Sequence, residues 1–498
     1  MNQSWPKLRD EVRSDIASSD GAGSIADPVF QRRIRLDAKA MALISTLRGA
    51  GGSTDELAER LGADPERLAP VLHRLMALDL LDSPRARARV SERIQLESVS
   101  TTPGKSLKPM PWARFGCTMC GSCCGGHNVG PVSPQILEGL AEVADDLEND
   151  ITRERFSEKG LFFGLPTGPR ESSAMCHAAS GSCVFLDDGG RCRIHARLGG
   201  DKKPLPCRVF PWELVVTPTG VRVAVQRECR DFSAATAGHQ PLISEACTDG
   251  GEVETLVNAL ASAGGLPSAK PIPVLRGAEL DTWADYERLE DELLGVVASG
   301  TDSNAILAGL VTTLSPGHGP ARDAFIAWRK RFLERIEAIL SEAPPPDAHR
   351  IIRVDSLEAL GEALALISGW VLSRALAPLE GPAFHLFTAH LRHAIWSCAL
   401  ARAPSIEKGL ARLISEWLLA RVLAISRART AKRFHVTRDD LQDGLTLVSF
   451  LYRHDDLAPI LADLDDLAVT CFVDGFLEFA ASAPTFDAPD ARLELVKF

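Results

Sequence analysis

Apolar residues between Arg35 and Leu81 recur at helical spacing in three short blocks. The first predicts a helix near Ala38 to Arg48, closed by Gly49 and Gly51-Gly52. The second opens on Ser53 as N-cap, with Glu56 at the capping-box position. The third has Asp64 as cap and Pro65 at the first helical position, and its apolar face is Leu68, Val71, Leu72 and Leu75. Helix, helix, tight turn and helix is a helix-turn-helix arrangement. Beyond Asp82 and Pro84, the alternation Arg85-Ala86-Arg87-Ala88-Arg89-Val90 predicts a strand with three arginines on one face, a basic wing. Residues 31–97 are therefore expected to form a winged-helix-like domain, after a flexible lead-in at 1–30 containing SSDGAGS.

The pattern changes twice more. Residues 98–110, rich in Ser, Thr, Pro and Gly, read as a linker. Residues 111–232 then carry short strand signals. Val184-Phe185-Leu186 precedes the turn Asp187-Asp188-Gly189-Gly190, and Trp212–Thr217 and Val221–Gln226 flank Pro218-Thr219-Gly220 as a hairpin. A helix is expected from Ser133-Pro134 toward Leu147. A connector with a helix near Val253 to Ala263 leads to a helical domain at 275–482. Its helices are expected at Leu280–Ala298, Asn304–Leu314, Arg322–Ser341, Leu357–Ala375, Pro382–Arg402, Ile406–Ser426, Arg438–Tyr452 and Leu457–Ala480. The expected fold is mainly α, with an N-terminal winged helix, a small cysteine-rich α+β domain and a C-terminal helical domain.

At 498 residues the chain is too long for one hydrophobic core. Its 55 basic and 66 acidic residues give a net charge of -11, so the molecule as a whole lacks a nucleic-acid footprint. The third helix of the first domain offers only Arg67, His73 and Arg74, opposed by Glu66. That is thin for neutralising phosphates, and a protein or peptide partner is favoured over DNA. The N-terminus lacks the apolar core of a secretory signal, and no apolar run reaches membrane-spanning length. The expected location is the cytoplasm, without membrane contact, where clustered cysteines point to metal or catalysis.

Of the chain's 12 cysteines, Cys117, Cys120, Cys123 and Cys124 follow C-x2-C-x2-C-C. A C-x2-C turn puts two thiolates on one side of a tight loop, as zinc or an iron-sulfur cluster requires. Adjacent Cys123 and Cys124 point apart in ordinary backbone, so ligands from elsewhere must complete the set. Cys183, Cys192, Cys207 and Cys229 bring the total to eight, and Cys176 would be a ninth. Unliganded thiols so close together would be prone to oxidation without helping packing. Isolated Cys247, Cys398 and Cys471 read as core residues. His195, beside the cluster, suits either a structural or a ligating role, whereas the pair His390 and His393 on one helical face reads as structural. Zinc and iron both accept sulfur; the near-ferredoxin spacing of the first three cysteines favours an iron-sulfur cluster over Zn2+.

The ordered blocks CTMCGSCCGG, CVFLDDGGRCRIH and CRVFP, from about Phe115 to Cys229, resemble the YkgJ-type cysteine-cluster family of zinc- or iron-chelating domains. The resemblance implies metal ligation at Cys117, Cys120, Cys123, Cys124, Cys183, Cys192 and Cys207. Ile194-His195-Ala196-Arg197-Leu198-Gly199, the Cys-Arg-x-Phe-Pro block, a late cysteine and a long helical region are similar to the flagellin lysine-N-methylase branch. That similarity implies, as an alternative function, methylation of a protein lysine from S-adenosylmethionine. A second alternative, from the basic wing, is a metal-responsive DNA-binding regulator.

Overall fold

The computed structural model describes residues 3–16, 21–117, 183–229, 241–262, 282–312, 381–433, 435–452 and 458–471, with shorter stretches elsewhere such as Gly121, Val132, 162–164 and 173–175. It is mostly helical with small sheets. Two compact units divide the chain: Met1–Thr102 with Val216–Gly220 and Leu280–Arg288, and Pro103–Val215 with Val221–Glu279 and Leu289–Phe498.

The first unit opens with strands, where the sequence suggested a flexible lead-in. Strand β1 (Ser4–Trp5) pairs with β5 (Gly52–Ser53), and β2 (Arg13–Ile16), β3 (Gly23–Asp27) and β4 (Arg32–Leu36) form an antiparallel sheet in that order. Trp5, Leu8, Val12 and Ile25 are buried in one cluster with Leu43, Leu47, Leu57, Leu72 and Leu81. Buried Arg9 fixes the segment further, donating to Asp27 at 2.6 Å; Arg32 reaches the same carboxylate at 3.0 Å. A charge held this way inside a core must be paired, which fixes the path of the segment.

Helices α1 (Ala38–Gly49), α2 (Thr54–Leu61) and α3 (Pro65–Ala77) lie where the apolar periodicity put them. Ser53 and Glu56 form the expected capping box, and the Asp64 side chain accepts from the Glu66 N–H. The basic wing is different: residues Pro84–Thr101 form helix α4, with the Ser83 hydroxyl accepting from the Ala86 N–H at 3.0 Å and Pro84 in the first turn. Ala86 and Val90, one helical turn apart, are the buried residues. Arg85 and Arg89 both pair with Asp79, at 3.5 and 3.0 Å, and Arg87 with Asp82 at 3.5 Å. Helix α4 also runs into the stretch expected to be a linker.

In the second unit, a 3₁₀ turn (Pro103–Ser106) leads into β6 (Leu107–Pro109). Strands β7 (Phe162–Gly164) and β8 (Ser173–Met175) pair antiparallel. Short helices α5 (Arg193–Leu198) and α6 (Leu205–Val209) precede β9 (Trp212–Thr217) and β10 (Gly220–Val225), the expected strands of the hairpin. Strand β10 is central in the order β6-β10-β9 and runs parallel to β6, pairing Val221 with Leu107. The peptide Phe210-Pro211, between α6 and β9, is cis.

Helices α7 (Ile243–Ala246), α8 (Glu252–Ser262), α9 (Trp283–Ser299) and α10 (Ser303–Thr312) follow. Then come α11 (Gly381–Trp396), α12 (Ala399–Arg402), α13 (Ile406–Thr430), α14 (Arg438–Leu451) and α15 (Ala458–Cys471). The single helix expected over Pro382–Arg402 is broken at Cys398, whose φ of 58° lies in the left-handed region. The helices expected from Ser133 and over Leu357–Ala375, and most of that over Arg322–Ser341, fall outside the described residues.

Helix α13 is buried on nearly every side, and α14 approaches it closely at Gly444, where a Cβ would lie 2.5 Å from the Ala420 carbonyl oxygen. Gly444→Ala should gain about 1 kcal/mol of helix propensity. Overpacking against rigid backbone costs about 1–3 kcal/mol or more and outweighs it. The variant is therefore expected to unfold at lower urea concentration than the wild type; equal or greater stability would show that α13 and α14 are not in this contact.

Candidate metal centre

Phe115, at the head of the cysteine motif, is anchored on three sides. Its N–H donates to the Pro241 carbonyl at 3.0 Å, Ile243 N–H donates to Ala113 O at 3.0 Å, and its ring meets Trp212 edge-on at 5.7 Å between centroids. Cys117, two residues on, is exposed. Gly121 has φ of 70°, and a Cβ there would sit 3.3 Å from both the Cα and the carbonyl oxygen of Gly190. Gly121 thus meets the loop between Cys183 and Cys192 backbone to backbone. A glycine serves here for both its conformation and its lack of a side chain.

That second loop is rigidly built. Leu186 bridges Cys192, Leu186 N–H donates to Cys183 O at 3.1 Å, and Arg193 N–H to Phe185 O at 2.8 Å. The Asp187 carboxylate accepts the Arg191 N–H at 2.8 Å, which holds its pKa below the ordinary range. Val184, Phe185 and Leu186 are buried, but as a turn between two bridges rather than as the expected strand. Cys183 is buried and Cys192 half-buried; Cys207 is half-buried on α6, and Cys229 buried at the end of the turn after β10. His195 is an exposed residue of α5.

Cys120, Cys123, Cys124 and Cys176 lie outside the described residues. Among the described residues, no three of His, Cys, Asp and Glu converge as a metal would require. Cys117, Cys183, Cys192, Cys207 and Cys229 thus form no group of three with one another or with other described residues, and the described link between the first cysteine block and the Cys183–Cys192 loop is the contact of Gly121 with Gly190.

The turn ending at Cys229 is held from the helical region by residues of which the sequence reading singled out only His390 and His393. Arg227 donates through Nη1 to Glu416 at 2.9 Å and to Nε2 of His390 at 3.2 Å. Arg412 donates through Nε to the other Glu416 oxygen at 2.9 Å. Gln442 donates to Arg227 O at 2.9 Å, Thr446 to Glu228 O at 3.3 Å, and Ser449 to the Glu228 carboxylate. Phe232, whose N–H bonds Cys229 O, packs edge-on against His393 at 4.4 Å between ring centroids. Burial works to raise the Glu416 pKa, but the Arg227 and Arg412 charges overcome it and hold the group at about 2. Burial, then the Arg227 charge, drives His390 down to about 3; burial likewise lowers His393 to about 4. Neutral His390 is thus the acceptor for Arg227, the structural role expected of the pair.

Residues 116–232 match the family model CxxCxxCC, described as a putative zinc- or iron-chelating domain. The cysteine-rich segment of this chain is therefore similar to that domain. No curated protein and no solved structure matches the chain.

Removing one partner of a buried ion pair costs about 3–5 kcal/mol. Glu416→Gln should lose stability of that order and, although no cysteine is touched, reduce bound metal. Since the folded-state pKa of Glu416 is depressed, its contribution is complete above its ordinary value near 4.5 and is lost as pH falls toward 2. Urea titrations of the two proteins should therefore differ fully at pH 6 and converge at acid pH; a constant gap would deny the charge its role.

Proposed function

We propose that residues 111–232 bind zinc or iron through Cys117, Cys120, Cys123, Cys124, Cys183, Cys192, Cys207 and Cys229, with an iron-sulfur cluster as the favoured form. The observation that supports the reading is the contact of Gly121, between Cys120 and Cys123 in sequence, with Gly190, between Cys183 and Cys192, inside the segment matched by the chelating-domain model. Eight thiolates suffice for two four-sulfur sites.

The first unit serves, in this reading, as a contact surface for a protein or peptide. Val71 on α3 and Ile94 on α4 are exposed apolar side chains there. The DNA-regulator alternative loses its motivation, because the three arginines of the supposed wing are on a helix and paired with Asp79 and Asp82. For the methylase alternative, no strand among the described residues runs through a glycine-rich turn into a helix, the usual S-adenosylmethionine cradle of a nucleotide-binding sheet. Among the described residues no helix is long and apolar enough to cross a membrane.

Anaerobic purification followed by metal analysis and visible absorption tests the proposal. The expected protein is coloured and contains iron and inorganic sulfide. A colourless protein with bound zinc would overturn the preference for iron-sulfur, and a metal-free protein would overturn metal binding itself. Because metal-binding energy in such domains is folding energy, Cys183→Ser or Cys207→Ser should deplete metal as severely as Cys120→Ser. Wild-type metal content in either distal variant would mean that the first loop binds alone.

A further inference from the structure

Within the second unit lies a cavity of about 650 Å³, lined by residues of the β9–β10 hairpin and of α13, α14 and α15. Its size is that of a site for a small organic molecule. Glu416 is in its wall, between Arg227 and Arg412.

The donor groups of the two arginines are only partly used. Arg412 spends Nε on Glu416 and lays its guanidinium over the Tyr452 ring, 4.4 Å from the centroid. Among the described residues, its Nη1 and Nη2 have no hydrogen-bond acceptor. Arg227 spends only Nη1, on Glu416 and His390, leaving Nη2 and Nε without an acceptor among the described residues. The other carboxylates of the wall are engaged elsewhere: Glu213 by Arg402, Glu228 by Ser449 and Asp465 by the Tyr452 hydroxyl at 2.7 Å. Two guanidiniums share one carboxylate, so several fixed N–H donors are left at the cavity, where Arg402 and Lys408 with them set four cations against the four carboxylates of the wall. Planar guanidinium edges in this state match the oxygens of a carboxylate or a phosphate.

We propose that this cavity binds a small organic molecule through its oxyanion, a carboxylate or a phosphate, held by the spare donors of Arg412 and Arg227. The site shares Arg227 and Glu228 with the turn that ends at Cys229 but has no cysteine in its wall. Stacking on Tyr452 keeps the Arg412 guanidinium in place before the ligand arrives, which lowers the ordering cost of binding.

Isothermal titration of the full-length protein with citrate, and separately with adenosine monophosphate, tests the proposal and distinguishes its two forms. Saturable one-to-one binding of at least one of them is expected. Arg412→Gln should weaken that binding by at least about tenfold, the loss expected for a charge-assisted pair. Arg412 is partly exposed, so the variant should keep the wild-type circular dichroism spectrum, and a control with that spectrum intact separates lost binding from lost fold. Should Arg412→Gln fail to fold, Arg412→Lys, which keeps the positive charge beside Glu416 but lacks the planar fork of donors, gives the same decision through the same titration. Absence of saturable binding of either anion up to about 10 mM, or undiminished binding by a folded Arg412→Gln, would overturn the proposal.

Discussion

The ionised Glu416 carboxylate, buried between Arg227 and Arg412, is the interaction on which the arrangement of the second unit depends. A lone carboxylate in such a place would give up its charge. Two guanidiniums reverse that outcome, and the resulting network has few alternatives, since moving any member leaves another charge buried and unpaired. One of those guanidiniums belongs to Arg227, two residues before Cys229. The helical region thereby fixes the end of the cysteine-rich segment.

The head of the same segment is fixed by different means. Backbone hydrogen bonds hold Phe115 to Pro241, an edge-on contact sets its ring against Trp212, and Gly121 rests on Gly190. A sheet, a glycine contact and a buried ion network thus hold the stretches that carry Cys183, Cys192 and Cys229. The cavity beside Glu416 arises from the same network: the two arginines that stabilise the carboxylate present their unused edges to it.

The helices of both units were legible because caps and periodicity agree. Ser53 with Glu56, and Asp64 with Pro65, mark helix starts that the structure keeps. Ser83-Pro84 is a signal of the same kind, but the alternation of arginine and alanine from Arg85 to Val90 masked it. Burial of Ala86 and Val90 on one face decided for helix. The strands before Leu36 were not legible, since their stability comes from long-range partners, Asp27 for Arg9 and the leucines of α1 to α3 for Trp5 and Leu8. The metal motif was legible from spacing alone, but the support of Cys229 was not. A clue lay in Glu416 within Leu413-Ile414-Ser415-Glu416-Trp417-Leu418-Leu419, since a charge in a helix apolar on every side must have a buried partner. Which arginine supplies it is a question of tertiary structure.

The central claim is that sulfur-donor metal binding is assembled from cysteine loops distant in sequence. X-ray absorption at the metal edge of the full-length protein addresses it most directly. A first shell made only of sulfur, at about 2.3 Å, is the expected result. A shell dominated by oxygen or nitrogen would contradict the claim, because the cysteines would then not be the ligands.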